Sequence, residues 1–199
     1  VFYGQHTNVS SGIYLTKSTN PDDISAWTDK GYINNYTNAT QGQNANPVLA
    51  SNGDIYVFFM YSTGDVGYPE PWKYVKSTDG GTSWGDPVTV IDAVAYEAVY
   101  GGGHFKRLGN KVPISWVYYT GSQYDGVFCA YFNLSDGKMY AWGSGGDVDL
   151  GASISRSEAE TYCRAVTLSG VLVRQTRVRV DSDGKPYLIY VYDLSLIHI

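Results

Sequence analysis

The chain has 199 residues, 43% of them apolar and 17% charged, a globular composition long enough for one substantial domain and a sizeable core. A net charge of −5 and a pI near 5.0 argue against a nucleic-acid partner, which needs a basic face, and give no general attraction to an anionic polysaccharide. No apolar run approaches the length of a membrane span.

The 19 Tyr, together with Val, Ile and Thr, point to pleated, half-buried surfaces and so to β structure. In chain order, VFYG reads as mid-strand. YLTKSTNPDDISAW follows and ends at Trp27. NPVLASNGDIYVFF, Asn46 to Phe59, is a strand, a short polar turn with Gly, and an alternating strand. YVKSTDGGTSW then ends at Trp84. HFKRLGNKVPISW, His104 to Trp116, repeats the strand–turn–strand form, and CAYFNLSDGKMYAW ends at Trp142. ISRSEAETYCRAV, Ile154 to Val166, is the one stretch with helical character. RVRVDSDGKPYLIY, Arg177 to Tyr190, gives a third strand–turn–strand unit. LSLIHI follows no turn logic. The expectation is a piece of a longer protein, with 194–199 a non-native or read-through tail and His198 set aside.

The three Trp lie 57 and 58 residues apart, and Ile55 to Val112 is also 57. Two markers at one period indicate a repeat of four short strands. Val112 to Pro186 stretches to 74, which marks 151–166 as a possible insertion. Four antiparallel strands per period suggest an all-β propeller, present as three to four blades: remnants at 1–40, 41–95, 96–150 and 165–193. A sandwich is the runner-up, but it does not predict a recurring Trp.

Cys129 and Cys163 form neither a disulfide framework nor a metal spacing; a buried free thiol is the default for Cys129, and a bridge stays open. Asn8, Asn35, Asn38 and Asn133 begin glycosylation triplets that matter only in a eukaryotic secreted chain.

Ser77-Thr78-Asp79-Gly80-Gly81-Thr82-Ser83-Trp84 fits S-x-D-x-G-x-[ST]-W at every defined position. Asp79 suits a carboxylate accepting amide hydrogen bonds in its own turn, Gly80 and Gly81 permit positive φ, and Trp84 is an apolar anchor. A structural role is preferred to catalysis by Asp79. The stretch resembles the Asp-box of sialidase-type, BNR-repeat propellers. In that family the box joins strands 3 and 4 on the rim away from the ligand. The structural set is Ser77, Asp79, Gly81 and Trp84.

The chain more closely resembles the BNR-4 group, which contains ulvan-lyase-like polysaccharide lyases. The resembling pieces are VFYGQH, SxxPDDISAW, GDIYVFF, YVKSTDGGTSW, ISW and GKPYLIY, from Val1 to about Tyr192. The resemblance implies a ligand face formed by GQHTNVSSG, QGQNAN, MYSTGDVGYPEPW, AVAYEAVYGGGH and YYTGSQYDG. It implies His6 as base or charge neutraliser, and Gln5, Asn46, Tyr61, Tyr100, His104, Tyr118 and Arg174 as substrate-binding residues. Uronate elimination needs a base and a group that stabilises the developing charge. The family's Tyr before the Pro of strand 1 and its Arg after strand 2 are replaced by Asn46 and Met60. Arg174, Arg164 and Arg107 are the candidate substitutes. Asp65 and Glu70 read as solvated loop charge rather than a glycosidase pair. A true sialidase fits less well, with six Arg, five of them in the last quarter of the chain.

The expectation is therefore a carbohydrate-active propeller, a fragment of a polysaccharide lyase or glycoside hydrolase. The alternatives are a non-catalytic glycan-binding propeller, a sialidase or a protein-interaction propeller. The expected partner is a poly- or oligosaccharide. No cofactor or metal is called for, with a structural calcium left open, and the parent is expected to be a secreted or periplasmic monomer.

Overall fold

The run IYVFFMYS has no polar residue before its end except tyrosine hydroxyls, and such a strand must be covered on both faces. The computed structural model describes residues 2–4, 12–20, 23–33, 41–62, 69–101, 106–121, 124–167 and 172–193. In it the run forms β5 (Ile55–Ser62), second in a four-stranded sheet ordered β4 (Gln41–Leu49), β5, β6 (Trp72–Ser77), β7 (Val88–Ile91). This is the second of four sheets. The first holds β1 (Phe2–Gly4), β2 (Ile13–Ser18) and β3 (Trp27–Tyr32). The third holds β8 (Ala98–Gly101), β9 (Lys111–Tyr119), β10 (Tyr124–Asn133), β11 (Lys138–Ala141) and β12 (Val148–Asp149), with β13 (Arg164–Val166) also on β10. The fourth is the hairpin of β14 (Leu172–Val180) and β15 (Pro186–Asp193). Neighbouring strands in all four sheets pair antiparallel.

The alternation of β5 shows how successive sheets stack. Tyr56, Phe58 and Met60 enter the cluster shared with the third sheet, beside Trp116, Phe128 and Phe132. Val57 and Phe59 enter the cluster shared with the first sheet, beside Ile13, Leu15 and Ile33. A smaller cluster of Val117, Val127 and Val173 joins the third sheet to the fourth. The apolar faces thus pack sheet on sheet in chain order. Phe58 and Phe132 are fully buried with centroids 5.4 Å apart at 75°. Burial of each contributes about 2 kcal/mol, before the smaller gain from the edge-on geometry.

The expected hairpins at Asn52-Gly53 and Asp183-Gly184 are present, with φ +92° at Gly53 and +84° at Gly184. Three expectations change. QGQNAN is strand rather than loop, since β4 begins at Gln41. Likewise, part of AVAYEAVYGGGH is β8, which pairs Ala98 with Tyr119. Both segments have β partners, and ladder hydrogen bonds override their weak strand composition. Trp142 also falls out of phase: Trp27 begins β3 and Trp84 precedes β7, whereas Trp142 follows β11. The tight turn from Asn133 to Lys138 brings β11 back early, so the second spacing, Trp84 to Trp142, is not a structural equivalence.

The segment with helical character makes only one α-turn, Arg156–Glu158, followed by a π-turn, Ala159–Cys163. Ser155 and Glu158 form a reciprocal capping box at its start. Ile154 bridges to Ile91 of β7, and β13 then pairs with β10. The segment therefore runs from the edge of the second sheet to the third. Its Ile154, Ala159 and Cys163 are buried in the cluster between them. Cys129 and Cys163 are both free thiols. Burial pushes the thiol pKa of Cys129 up to about 11, and burial, more than any charge, pushes that of Cys163 up to about 12. No helix among the described residues is long and apolar enough to cross a membrane.

Candidate functional site

The sheets present two rims. At one, β6 ends in the turn Ser77–Trp84, level with the start of β5. The other holds the ends of β5 and β9 and the starts of β8 and β10, and several expected site residues lie there.

On this second rim Tyr100 of β8, Tyr119 of β9 and Tyr124 of β10 converge. Their centroids are 5.9 Å apart for Tyr100–Tyr119, 6.3 Å for Tyr100–Tyr124 and 4.9 Å for Tyr119–Tyr124. Pairing of Ala98 with Tyr119 and of Tyr119 with Tyr124 brings the three strands into register at this end. Burial raises the pKa of Tyr100, and the charge of Glu70 raises it further. Glu70 is not simply a solvated loop carboxylate. Its amide donates to Glu97 O and its carbonyl accepts from Val99 N, both at 2.9 Å, while Ser62 Oγ donates to its carboxylate. It therefore stitches the second sheet to the third. Asp65 lies outside the described residues.

Asn46 is buried, 4% exposed, and pairs with Phe58, so it faces the third sheet. A bulge places Asn44 and Ala45 opposite Phe59, with Asn44 at φ +56°, a conformation that Asn tolerates better than most residues. Asn46 Nδ2 donates to Asn44 O at 2.6 Å, which holds the bulge. Tyr61 faces the other way, toward the first sheet, and Lys73 Nζ lies 3.9 Å from its ring centroid. Burial lowers the pKa of Lys73, opposed by the charge of Asp92. Asn46 and Tyr61 thus share a strand end but face different sheets. Met60 is buried between the second and third sheets.

Tyr118 is core, not rim. It is fully buried between Trp116 and Phe128, with the Arg156 guanidinium 4.1 Å from its centroid. Burial holds its hydroxyl pKa far above the ordinary tyrosine value. Of the candidate substitute cations, Arg164 pairs with Asp125 and Glu160. Arg107 sits toward the opposite rim, donating to Gly109 O at 2.8 Å. Arg174 stands at a register shift in β14. Gln5, His6 and His104 lie outside the described residues. Sequence reasoning missed the convergence of Tyr119 and Tyr124 with Tyr100, and also Lys73. Tyr119 and Tyr124 stood in a stretch named for this rim, but only strand register shows that the three meet.

The turn at the other rim is built around one carboxylate. Asp79 Oδ1 accepts from Thr82 N and Ser83 N, both at 2.9 Å, and from Ser77 Oγ at 2.8 Å. Ser83 Oγ donates to Oδ2 at 2.5 Å. Hydrogen bonds from Ser83 above all, hydroxyl first and then amide, bring the Asp79 pKa down to about 2. Gly80 and Gly81 take φ +70° and +88°. Every group of Asp79 is thus engaged in its own turn. Among the described residues no group of three or more His, Cys, Asp or Glu is placed to hold a metal ion.

Residues 1–195 match the family described as BNR repeat-containing family member. The chain belongs to that BNR repeat-containing family. Among solved structures, this family member is similar to a polysaccharide lyase, the PL25 ulvan lyase, bound to -[GlcA(1-4)Rha3S]-. The TM-score is 0.72 at 21% identity, over 88% of this chain and 41% of the lyase. For the PL25 ulvan lyase described without that ligand the values are 0.71 and 21%, over 92% of this chain and 45% of the lyase. The chain spans less than half the length of those lyases, and at such identity the likeness concerns the fold. No curated protein matches the chain.

Proposed function

We propose that the four sheets are successive blades of a carbohydrate-active β-propeller whose parent cleaves polysaccharide, with elimination at a uronate favoured over hydrolysis. The observation that carries this reading is the likeness, along 88% of the chain, to a lyase fold bound to a glucuronate–rhamnose saccharide. The tyrosine cluster supports it. Tyr100, Tyr119 and Tyr124 offer ring faces and hydroxyls together on one rim, which suits a sugar's apolar CH face and its hydroxyls. In the elimination, a base removes the proton next to the carboxylate, the C–O bond to the leaving sugar breaks, and a double bond forms in the uronate ring. His6 is carried as base or neutraliser on the family resemblance alone.

A second reading, glycan binding without cleavage, is favoured by one observation. Asn46 and Met60 stand at the two matched positions, and Met60 is buried, so neither supplies a proton acceptor or an anion-stabilising cation.

The intact protein is to be incubated with a uronate polymer while ultraviolet absorbance and reducing ends are followed together. Elimination gives both signals. Reducing ends without absorbance point to hydrolysis, and retention of polymer with neither product points to binding only. No product and no retention sinks the carbohydrate reading. Unchanged activity in His6→Ala moves the site away from that residue.

A further inference from the structure

We infer that the cleft between the first sheet and the Ser77–Trp84 turn binds an anionic substituent of a saccharide chain, carboxylate or sulfate ester, on the rim away from the tyrosine cluster. The sugar part of this inference rests on the carbohydrate reading above; the anion part rests on the cleft itself. The cleft has a volume of about 160 Å³, with Lys17, Lys30, Tyr32, Trp84 and the segment Gly80–Thr82 among its walls.

Its cations have no ion-pair partner among the described residues. Lys76, Lys111 and Lys138 are ion-paired with Asp54, Asp147 and Asp149 at 2.6, 2.6 and 2.7 Å. Lys17 and Lys30, both exposed, make no ion pair among the described residues, in a chain of net charge −5. Asp79, the one acid in the turn, is already spent on the hydrogen bonds of Ser77, Thr82 and Ser83. Two like charges facing one cleft repel, and an anion between them relieves the repulsion.

The backbone aims these lysines. Tyr14 pairs with Tyr32 and Thr16 with Asp29, so Leu15 alone faces both Lys30 and Gly31. That is a β-bulge, with Gly31 at φ +72° and its amide donating to Asp29 Oδ1 at 2.8 Å. The bulge turns Lys30 into the cleft beside Leu15 and Lys17. The aromatic wall is held as well. Tyr14 Oη donates to Tyr32 Oη and the two rings lie 4.1 Å apart, while Trp84 packs on the cluster joining the first two sheets. A ring face beside two cations is suited to the apolar CH face of a sugar that carries an anionic group. The volume is below the roughly 300–1,000 Å³ of sites that enclose a whole ligand, so the cleft takes one sugar unit of a chain running across it.

The test uses the intact protein and three probes in calorimetric titration: oligogalacturonate, which has carboxylates and no sulfate; dextran sulfate oligomers, which have sulfate and no carboxylate; and neutral dextran oligomers. Binding of at least one anionic probe and not the neutral one is expected, weakened at least tenfold in the Lys17→Gln/Lys30→Gln double variant and by raised salt. Which anionic probe binds identifies the substituent. Because both lysines are exposed and make no ion pair among the described residues, the variant should keep the wild-type melting temperature. If, on the anionic probe that wild type binds, the variant keeps every binding event at wild-type affinity, the inference is overturned while the carbohydrate reading stands. If wild type binds neither anionic probe, the inference is again overturned, and the product assay on polymer then decides the broader reading by itself.

Discussion

The second and third sheets solve one problem in two ways. Each must lead the chain out of its third strand, form an outer edge, and seal the gap to its neighbour. The second sheet uses eight consecutive residues, Ser77 to Trp84, organised by the single carboxylate of Asp79. The third sheet turns tightly into β11, leaves, and returns as β13 on the other half of β10. Its excursion is pinned by two guanidinium groups. Arg156 pairs with Glu97, Asp125 and Glu160, and Arg164 pairs with Asp125 and Glu160. The first device is local and satisfies backbone amides. The second is non-local, joining the returning segment to β10 and to the start of β8. An edge can thus be closed by turn chemistry or by charge pairing, and the two fail differently.

The largest expected effect is on the charge-paired side. Arg156 is 19% exposed at its side chain and Glu97 10%, so Arg156→Ala strands a largely buried carboxylate and uncovers Tyr118 and Phe128. Removing one member of a buried pair costs about 3–5 kcal/mol. Asp125 and Glu160 keep partial access to water, which places the expected loss nearer 3. Urea denaturation of the intact protein reads this directly. A loss under about 0.5 kcal/mol, the range of ordinary surface changes, would make the network decorative and break the comparison.

The same contrast explains what was legible in the sequence. The Ser77–Trp84 turn is contiguous, and its donors, acceptor and glycines stand at fixed offsets, so its geometry could be written from residue types. The run Ile55–Ser62 likewise read as a strand, but its burial on both faces was decided by the sheets that pack against it. The Arg156 network was invisible, because Glu97 and Asp125 lie 59 and 31 residues away and no local pattern marks them. The rim site was legible only in part. Of the stretches named for it, two supply the tyrosines that meet on one rim, yet QGQNAN and AVAYEAVYGGGH are partly strand, and facing decided the rest. One position separates Tyr118, in the core, from Tyr119, on the rim, because a strand reverses its side chains at every residue.

A smaller effect is expected on the turn side. Asp79→Ala removes four acceptor contacts at the surface, and the chain beyond can still pair β6 with β7, so its stability loss should be smaller than that of Arg156→Ala. Its signature is in pH. The Asp79 pKa lies at about 2 in the folded chain, below the ordinary 3.8. A depressed carboxylate stabilises the fold above its unfolded pKa and loses that contribution as pH falls toward the folded one. The gap in melting temperature between wild type and Asp79→Ala should therefore hold steady from neutral pH to about pH 5 and close between about pH 4 and 2. Arg156→Ala should not show this closure over that window alone. A gap independent of pH would mean that the carboxylate charge is idle in the turn.

The smallest effect sharpens the boundary between core and rim. Tyr118→Phe deletes one buried hydroxyl and leaves its ring against Trp116, Phe128 and Arg156. Deleting a buried polar atom while keeping shape is close to neutral, so stability should change by less than about 1 kcal/mol. Apparent affinity for an oligosaccharide probe should not change, because no part of Tyr118 is exposed. Tyr119→Phe, one residue on, removes a hydroxyl that donates to Gly121 O at 2.7 Å on the rim, and should disturb affinity more than Tyr118→Phe does. If instead Tyr118→Phe weakened binding while Tyr119→Phe did not, the assignment of Tyr118 to the core and of the tyrosine cluster to the ligand rim would be reversed.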